Sequence, residues 1–331
     1  MTPTRVLWVG PPQARRQSES LDPDAAKVTV VARVADPGTA LDEVVRLEPD
    51  VVVVAVPLAR GGTSTIEQIM GAKPTPILVL AHPAEPEAAV AALGHGAVEV
   101  LPSDVEPAVL IARIEVVRGV AVMRRSARRA TRTPPPRTRR PPGSRAVVAV
   151  AASTGGPPAL QQLLSGLTGL SAPVLVVQHM SADFLPGLVG WLGSTSPLPV
   201  GLASEGQRLL GGIVYVAPGG THLRLGRDRT ASLSVEPPRL HRPSADELFG
   251  SVATAAGPDG IGVILTGMGD DGAIGLRSMF DAGAYTVGQD DETSAVFGMP
   301  RAAIQNGAVR EVLPLERIAS AVLARVREVT S

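Results

Sequence analysis

Apolar residues cluster in short runs along this sequence, and between the runs they recur at every third or fourth position. In the first part of the chain the runs cover residues 6–9, 28–34, 51–56, 77–80 and 98–101. Segments with helical spacing lie between or after them, at residues 39–47, 63–70, 86–93 and 107–123. Short apolar runs that alternate with helices are typical of a parallel β-sheet covered on both faces. We therefore expect a (βα)5 domain over residues 1–121.

The same alternation resumes in the second half of the chain. Apolar runs lie at residues 147–152, 173–180, 212–216 and 261–266, and helical spacing recurs at 184–192, 244–256, 273–281 and 315–329. The pattern predicts a larger domain over residues 146–331, with a doubly wound and mostly parallel sheet. The fold class is thus α/β in both domains.

A basic, proline-rich segment separates the two patterns. Nine arginines and no acidic residue lie between residues 124 and 145, although the formal net charge of the whole chain is zero. Such a segment could bind nucleic acid or an anionic membrane. However, no aromatic residue is interleaved with the arginines, and five prolines interrupt them. We therefore interpret residues 122–145 as a solvated linker and expect no nucleic-acid partner.

Composition excludes several classes of site. The chain has no cysteine, which excludes a disulfide framework, a thiol nucleophile and a zinc site with cysteine ligands. No apolar run approaches the ~18 residues of a membrane-spanning helix, and the first apolar run is too short for a signal peptide. We expect a cytoplasmic protein without direct membrane insertion.

The apolar run at residues 147–152 ends in a motif that can carry chemistry. It is followed by Ser153, Thr154, two glycines and two prolines, and then by helical spacing. This is the pattern of a strand, a tight turn and a helix, and open α/β sheets bind ligands at the carboxyl ends of their strands. Three functions remain open for the hydroxyl groups of this turn: capping the helix, binding a phosphate, or acting as a nucleophile.

Two further apolar runs end in reactive side chains. One ends at His179, and the other is followed by the adjacent pair Asp270 and Asp271. Because the carboxyl ends of parallel strands share one edge of a sheet, Ser153, His179 and one aspartate can converge as a hydrolytic triad. The adjacent aspartates cannot both point at the imidazole, so we expect the other one to cap the helix that follows.

The other four histidines compete with His179 for the role of the base. His82 and His95 lie in the first domain. His222 follows a Gly–Gly turn and could lie at the edge of the site, and His241 lies among arginines and a proline, as a loop residue or a substrate contact.

Seven motifs of the second half, taken together, resemble the catalytic domain of the chemotaxis protein-glutamate methylesterases of CheB type. They read AASTGGPPAL, VVQHM, YVAPGGTHLRL, HRPSADELFGSVA, ILTGMGDDGAIGL, QDDETSAVFGMPRAAI and GAV, and they run in the family's order through nearly all of residues 146–331. The resemblance implies that Ser153 is the nucleophile, that His179 is the general base and acid, and that Asp271 is the orienting carboxylate.

The same resemblance implies the rest of the site and its reaction. Backbone N–H groups of Met268 and His179 would form an oxyanion hole, and Thr154 and His222 would line the site. The implied reaction is the hydrolysis of glutamate γ-methyl esters, and the deamidation of glutamines, on cytoplasmic helices of methyl-accepting chemoreceptors, with no metal or organic cofactor. Two rivals stay open: a related esterase that acts on another methylated protein, and a non-catalytic scaffold that binds receptors.

The first domain resembles a response-regulator receiver domain through EPDVVVVAV, TPILVL and GAVEVLP. Receivers accept a phosphoryl group on an aspartate, but that position here is Ala55, the magnesium-binding acids fall near Val9 and Gly10, and the lysine falls on Ser103. These side chains supply neither nucleophile nor metal ligand. Asp50 lies about 16 Å away at the other end of the strand. We expect a pseudo-receiver without phosphorylation, which contacts the catalytic domain or a partner, or is only a folded appendage.

Overall fold

The computed structural model describes residues 2–11, 14, 18–19, 21, 27–55, 61–120 and 144–330. Spatial contacts divide the chain into two compact units, Met1–Thr131 and Arg132–Ser331. Most of the predicted linker, and the last residues of the helix predicted at 107–123, lie outside the described residues. Among the helices that the structure does describe, none has the length and apolar composition needed to cross a membrane.

The first unit is an open parallel sheet with helices. Its strands are β1 (Thr4–Val9), β2 (Val28–Val34), β3 (Val51–Val54), β4 (Ile77–Ala81) and β5 (Glu99–Pro102). The helices in its described part are α1 (Ala40–Leu47), α2 (Gly62–Ala72), α3 (Pro86–Gly94) and α4 (Pro107–Arg118). The strands are ordered β2-β1-β3-β4-β5, and all neighbours are parallel. This confirms the predicted fold class, and the order is that of flavodoxin-like sheets.

The carboxyl edge of this sheet carries Ala55 where the receiver pattern expects an aspartate. Ala55 follows β3, and its N–H donates to the carbonyl of Val9 (2.7 Å), the last residue of β1. A Cβ placed on Gly10 would lie 3.3 Å from the Ala55 Cβ, so these two positions are neighbours and bear no carboxylate. Asp50 precedes β3 at the opposite end, where its carboxylate accepts the Arg5 N–H (2.8 Å).

The second unit contains a larger sheet of the same kind. Its strands are β6 (Val147–Ala152), β7 (Val174–Gln178), β8 (Val200–Leu202), β9 (Val214–Val216), β12 (Gly260–Ile264), β13 (Tyr285–Gln289) and β14 (Glu311–Leu313). They form a seven-stranded sheet in the order β14-β13-β12-β6-β7-β9-β8, with parallel neighbours. Strands β10 (His222–Leu225) and β11 (Ala231–Ser234) form a separate antiparallel pair.

Helices cover this sheet and complete the predicted α/β architecture. They are α5 (Gly156–Ser165), α6 (Leu185–Thr195), α7 (Ala245–Ala256), α8 (Ala273–Asp281), α9 (Met299–Gln305) and α10 (Leu315–Thr330). Strand β6 lies between β12 and β7, and all of its residues are buried. The turns that follow β6, β7 and β12 therefore open side by side at one edge of the sheet.

Strand β13 and the edge strands β8 and β14 are not predicted by the apolar pattern. Strand β13 reads YTVGQ, and its Thr286 and Gln289 are fully buried. The Gln289 side chain accepts the Thr266 N–H (2.8 Å) and donates to the Thr293 carbonyl (2.7 Å), so its burial is compensated by hydrogen bonds. A strand with buried polar side chains shows no apolar run, and edge strands of three residues are too short to show one.

Candidate active site

Ser153 follows β6 at the carboxyl edge of the larger sheet and is 4% exposed. Its N–H donates to the Thr266 carbonyl (3.0 Å), and its carbonyl accepts the Gly156 N–H (2.8 Å). The helix that follows, α5, has Gly155 at its N-cap, with no side-chain hydrogen bond. The Ser153 hydroxyl therefore does not cap the helix, and backbone hydrogen bonds hold the serine in place.

Two glycines let the backbone pass close to Ser153. Gly155 has a φ of +73°, a conformation that residues with a Cβ rarely adopt. On the other side, a Cβ at Gly267 would lie 2.7 Å from the Ser153 Cβ and 2.3 Å from the Met299 Sδ. Gly267 thus packs directly against the serine, and a larger residue there would displace it.

His179 follows β7, the strand beside β6. Its Nε2 lies 2.8 Å from the Asp271 Oδ2, and the two side chains are only 7% and 11% exposed. An ionised carboxylate only accepts hydrogen bonds, so Nε2 carries the proton and Nδ1 keeps the lone pair of the neutral ring. Nδ1 is buried and makes no hydrogen bond to any described residue. It is therefore the ring nitrogen that can accept a proton.

Asp271 lies between β12 and α8 in the chain, and its carboxylate lies at the amino end of helix α7. Its Oδ1 accepts hydrogen bonds from the Ser244 hydroxyl (2.8 Å) and the Asp246 N–H (3.1 Å), and its Oδ2 accepts the Ala245 N–H (2.7 Å) beside His179. Burial raises the pKa of Asp271, but the hydrogen bonds from His179, Ala245 and Ser244, together with the positive charge of His179 when its ring is protonated, outweigh this effect. The net effect lowers the pKa to about 2. The carboxylate is therefore ionised at neutral pH.

The prediction that one of the adjacent aspartates caps helix α8 is wrong. Asp270 is exposed, and Asp271 is occupied by the contacts described above. Instead, the Asp246 carboxylate accepts the N–H groups of Gly272 (3.0 Å) and Gly275 (2.8 Å) at the start of α8. Burial raises the pKa of Asp246, and the nearby charge of Asp271 adds to this effect. The cap comes from a different helix, so it is not visible in the sequence beside α8.

The backbone donors near Ser153 differ from the prediction in one respect. The His179 N–H donates to the Ala152 carbonyl (3.0 Å) in the ladder between β6 and β7, so it is not available to an oxyanion. Met268 follows Gly267 and is 37% exposed, and its N–H makes no hydrogen bond within the described part of the chain. Met268 is therefore the remaining candidate of the predicted pair.

Thr154 and His222, the residues expected to line the site, are both buried. Thr154 is 2% exposed, and its carbonyl accepts the Thr266 hydroxyl (2.9 Å). His222 is fully buried, with its Nε2 donating to the Pro237 carbonyl (3.0 Å) and its Nδ1 accepting the Ser244 N–H (3.1 Å). These partners fix the neutral tautomer with the proton on Nε2. His222 thus reaches the His–Asp pair through Ser244.

The structure also places His241 beside His179, whereas the sequence predicts only a loop residue or a substrate contact there. Its ring stacks on that of His179, with ring centroids 4.3 Å apart and an angle of 19° between the planes. His241 begins the segment HRPSADELF, whose Ser244 contacts Asp271. This shared segment is the signal that could have placed His241 beside the His–Asp pair.

These groups suit attack on a carbonyl carbon. As a separate observation, the described residues contain no group of three or more histidine and acidic side chains arranged to hold a metal ion. A buried hydroxyl, a His–Asp pair and an unused backbone N–H are the groups that nucleophilic acyl transfer requires.

Comparison with known proteins gives the family. The model of the CheB methylesterase family matches residues 148–322. Protein-glutamate methylesterase/protein-glutamine glutaminase 3 of Paramagnetospirillum magneticum (strain ATCC 700264 / AMB-1) is 39% identical, over 94% of this chain and 92% of its own. Protein-glutamate methylesterase/protein-glutamine glutaminase 2 of Anaeromyxobacter dehalogenans (strain 2CP-C) is 43% identical, and the match covers 91% of this chain and 89% of that protein. The crystal structure of the Thermotoga maritima CheB methylesterase catalytic domain is 35% identical, with a TM-score of 0.53, and the match covers 55% of this chain and 98% of that one. The chain therefore belongs to the CheB methylesterase family.

Proposed function

We propose that this protein hydrolyses glutamate γ-methyl esters, and deamidates glutamines, on cytoplasmic helices of methyl-accepting chemoreceptors. The observation that carries the proposal is the His179–Asp271 pair at 2.8 Å, at the same sheet edge as Ser153. Its support is membership of the CheB methylesterase family, in which relatives are named for both reactions. In this proposal Ser153 is the nucleophile, His179 the general base and acid, and Asp271 the orienting carboxylate.

The first step forms an acyl-enzyme. The Ser153 Oγ attacks the side-chain carbonyl carbon of the substrate, and the Nδ1 of His179 takes the serine proton. The serine and the imidazole are not hydrogen-bonded in this structure, and such contacts commonly close only when substrate binds. The imidazolium that forms is stabilised by the negative charge of Asp271. The low pKa of Asp271 keeps this carboxylate ionised.

The developing oxyanion needs a hydrogen-bond donor close to the serine. The Met268 N–H fits this role because Met268 follows Gly267, which packs against Ser153, and because its N–H makes no bond to a described residue. Removing one such donor typically slows turnover by ~10²–10³-fold.

The second half of the reaction releases the products. When the tetrahedral intermediate collapses, the bond from carbon to methoxide or to the amide nitrogen breaks, and the proton on His179 passes to that leaving group. Methanol or ammonia departs. Water then attacks the acyl carbon while His179 takes one of its protons, and the proton returns to the Ser153 Oγ as glutamate leaves.

We propose further that the first unit works as a pseudo-receiver. The methyl group of Ala55 cannot form an acyl phosphate, and the neighbouring Gly10 has no side chain and so supplies no carboxylate for magnesium. The esterase would then be controlled by something other than phosphorylation of this unit.

Mass spectrometry of receptor peptides tests the proposed reaction. Full-length protein, its Ser153→Ala variant and a matched Ser165→Ala variant are incubated with membranes that contain methylated receptors. Ser165 is exposed at the end of α5 and serves as the control. We expect the wild type and Ser165→Ala to convert methyl glutamate to glutamate, and Ser153→Ala to leave it unchanged. Receptor binding without any conversion would instead favour the scaffold, and conversion of only another methylated protein would favour the related esterase.

A further inference from the structure

The ring of His241 lies flat against the ring of His179. The centroids are 4.3 Å apart and the planes differ by 19°, which is a stacked arrangement. We propose that His241 is a positioning residue, whose stacked ring holds the His179 imidazole at the angle that proton transfer requires. This inference rests on the proposed role of His179 as the base for Ser153.

The hydrogen bond between Nε2 and Asp271 does not by itself stop the His179 ring from turning. Nε2 is held by Asp271, while Nδ1 makes no hydrogen bond to a described residue. A ring held by one hydrogen bond can still turn about that bond, and turning would move Nδ1 away from the hydroxyl. A flat group against the face of the ring opposes this motion, because stacked aromatic rings lose contact when one of them tilts.

The segment that carries His241 is itself anchored on both sides. The buried His222 donates to the Pro237 carbonyl before it (3.0 Å) and accepts the Ser244 N–H after it (3.1 Å). The Arg242 carbonyl accepts the Gly220 N–H (3.3 Å) as a further anchor. His241 is therefore presented by a fixed stretch of backbone, as a positioning residue requires.

The same segment holds the other partner of His179. Ser244 and the two residues after it donate to the Asp271 carboxylate. One stretch of chain thus fixes both the edge of the imidazole, through Asp271, and its face, through His241. The hydrogen bonds that anchor this stretch therefore also fix the position of His241 relative to Asp271.

The rate at which a fluorophosphonate labels Ser153 tests this role. The probe reacts with an activated serine and needs no receptor. In full-length protein we expect His241→Ala to slow labelling about two- to tenfold, the value of one stacking contact. His241→Phe keeps a flat ring and should recover most of the rate. Leu240→Ala is the matched control, because the neighbouring Leu240 is 93% exposed, and it should label at the wild-type rate.

Each outcome bears on the proposal. Labelling of His241→Ala at the wild-type rate, or equal slowing in His241→Ala and His241→Phe, would overturn it. If the alanine variant does not fold, His241→Leu fills the space without a flat ring and should show the same slowing. With receptor as substrate, kcat should fall in His241→Ala while KM stays unchanged. If no variant demethylates receptors but labelling follows this pattern, the proposed substrate is wrong and the role of His241 stands.

Discussion

Replacing Asp271 with asparagine removes one charge with almost no change of shape. The carboxylate accepts four hydrogen bonds, from the Ser244 hydroxyl, the N–H groups of Ala245 and Asp246, and the Nε2–H of His179. An asparagine amide has one acceptor oxygen and one NH₂ group, so in either orientation the NH₂ meets a backbone N–H. Protonated aspartic acid is likewise neutral and carries a donor. The asparagine variant therefore imitates the acid form of the wild type.

The low pKa of Asp271 sets the size of the effect. Folding lowers this pKa from the ordinary 3.8 to about 2, which corresponds to a stabilisation of the folded state by the ionised group of roughly 2–3 kcal/mol. Because the folded-state pKa is the lower one, this stability is complete well above pH 3.8 and is lost as the pH falls through about 2. At pH 7 the free energy of unfolding of the wild type should therefore be higher than that of Asp271→Asn by this amount. The difference between the two proteins should shrink as the pH falls from about 4.

Urea unfolding at a series of pH values measures this difference. The chain has two tryptophans, Trp8 in the first unit and Trp191 in the second. In a Trp8→Phe background the fluorescence of Trp191 reports on the unit that contains Asp271. A difference between aspartate and asparagine that stays constant from pH 7 to about pH 3 would refute the assigned cause. The same variant should lose roughly 10²–10⁴ in turnover, because the imidazolium loses its counter-charge.

Three further predictions concern the surroundings of the triad and the first unit. Gly267→Ala places a Cβ 2.7 Å from the Ser153 Cβ, so methanol release should fall roughly 10- to 100-fold; Gly250→Ala, with open space around it, should keep the wild-type rate. Ser244→Ala removes the hydroxyl bonded to Asp271, and the free energy of unfolding in urea should drop by about 1–3 kcal/mol; an unchanged value would contradict the contact. Acetyl phosphate with magnesium should leave the esterase rate unchanged because Ala55 cannot accept a phosphoryl group, whereas a magnesium-dependent activation would show that another residue does.

The placement of Ser153, His179 and Asp271 was predictable because each follows an apolar strand. Buried parallel strands leave a plain pattern in the sequence, and their carboxyl ends must share one edge. Strand β13 was not predictable in this way, since its burial depends on hydrogen bonds made by Gln289. A polar residue that is buried and satisfied looks the same in the sequence as one that is exposed.

The features of the site that were not predictable depend on contacts between distant segments of the chain. Asp246 caps helix α8 from helix α7, and His241 reaches His179 from a loop that follows β11. No local spacing encodes either contact. The His179 N–H was expected in an oxyanion hole, but the ladder between β6 and β7 continues one residue past the end of β7 and uses that donor. The apolar run marks the strand and does not show where its hydrogen bonds stop.

Methanol release from methylated receptor membranes tests the central claim most directly. Wild-type protein, Ser153→Ala and Ser165→Ala are compared at equal concentration, with the folded state of each checked by circular dichroism. We predict steady release by the wild type and by Ser165→Ala, and none by Ser153→Ala. Equal release by the wild type and Ser153→Ala, or no release by any of the three, would contradict the assignment of Ser153 as the nucleophile of a protein-glutamate methylesterase.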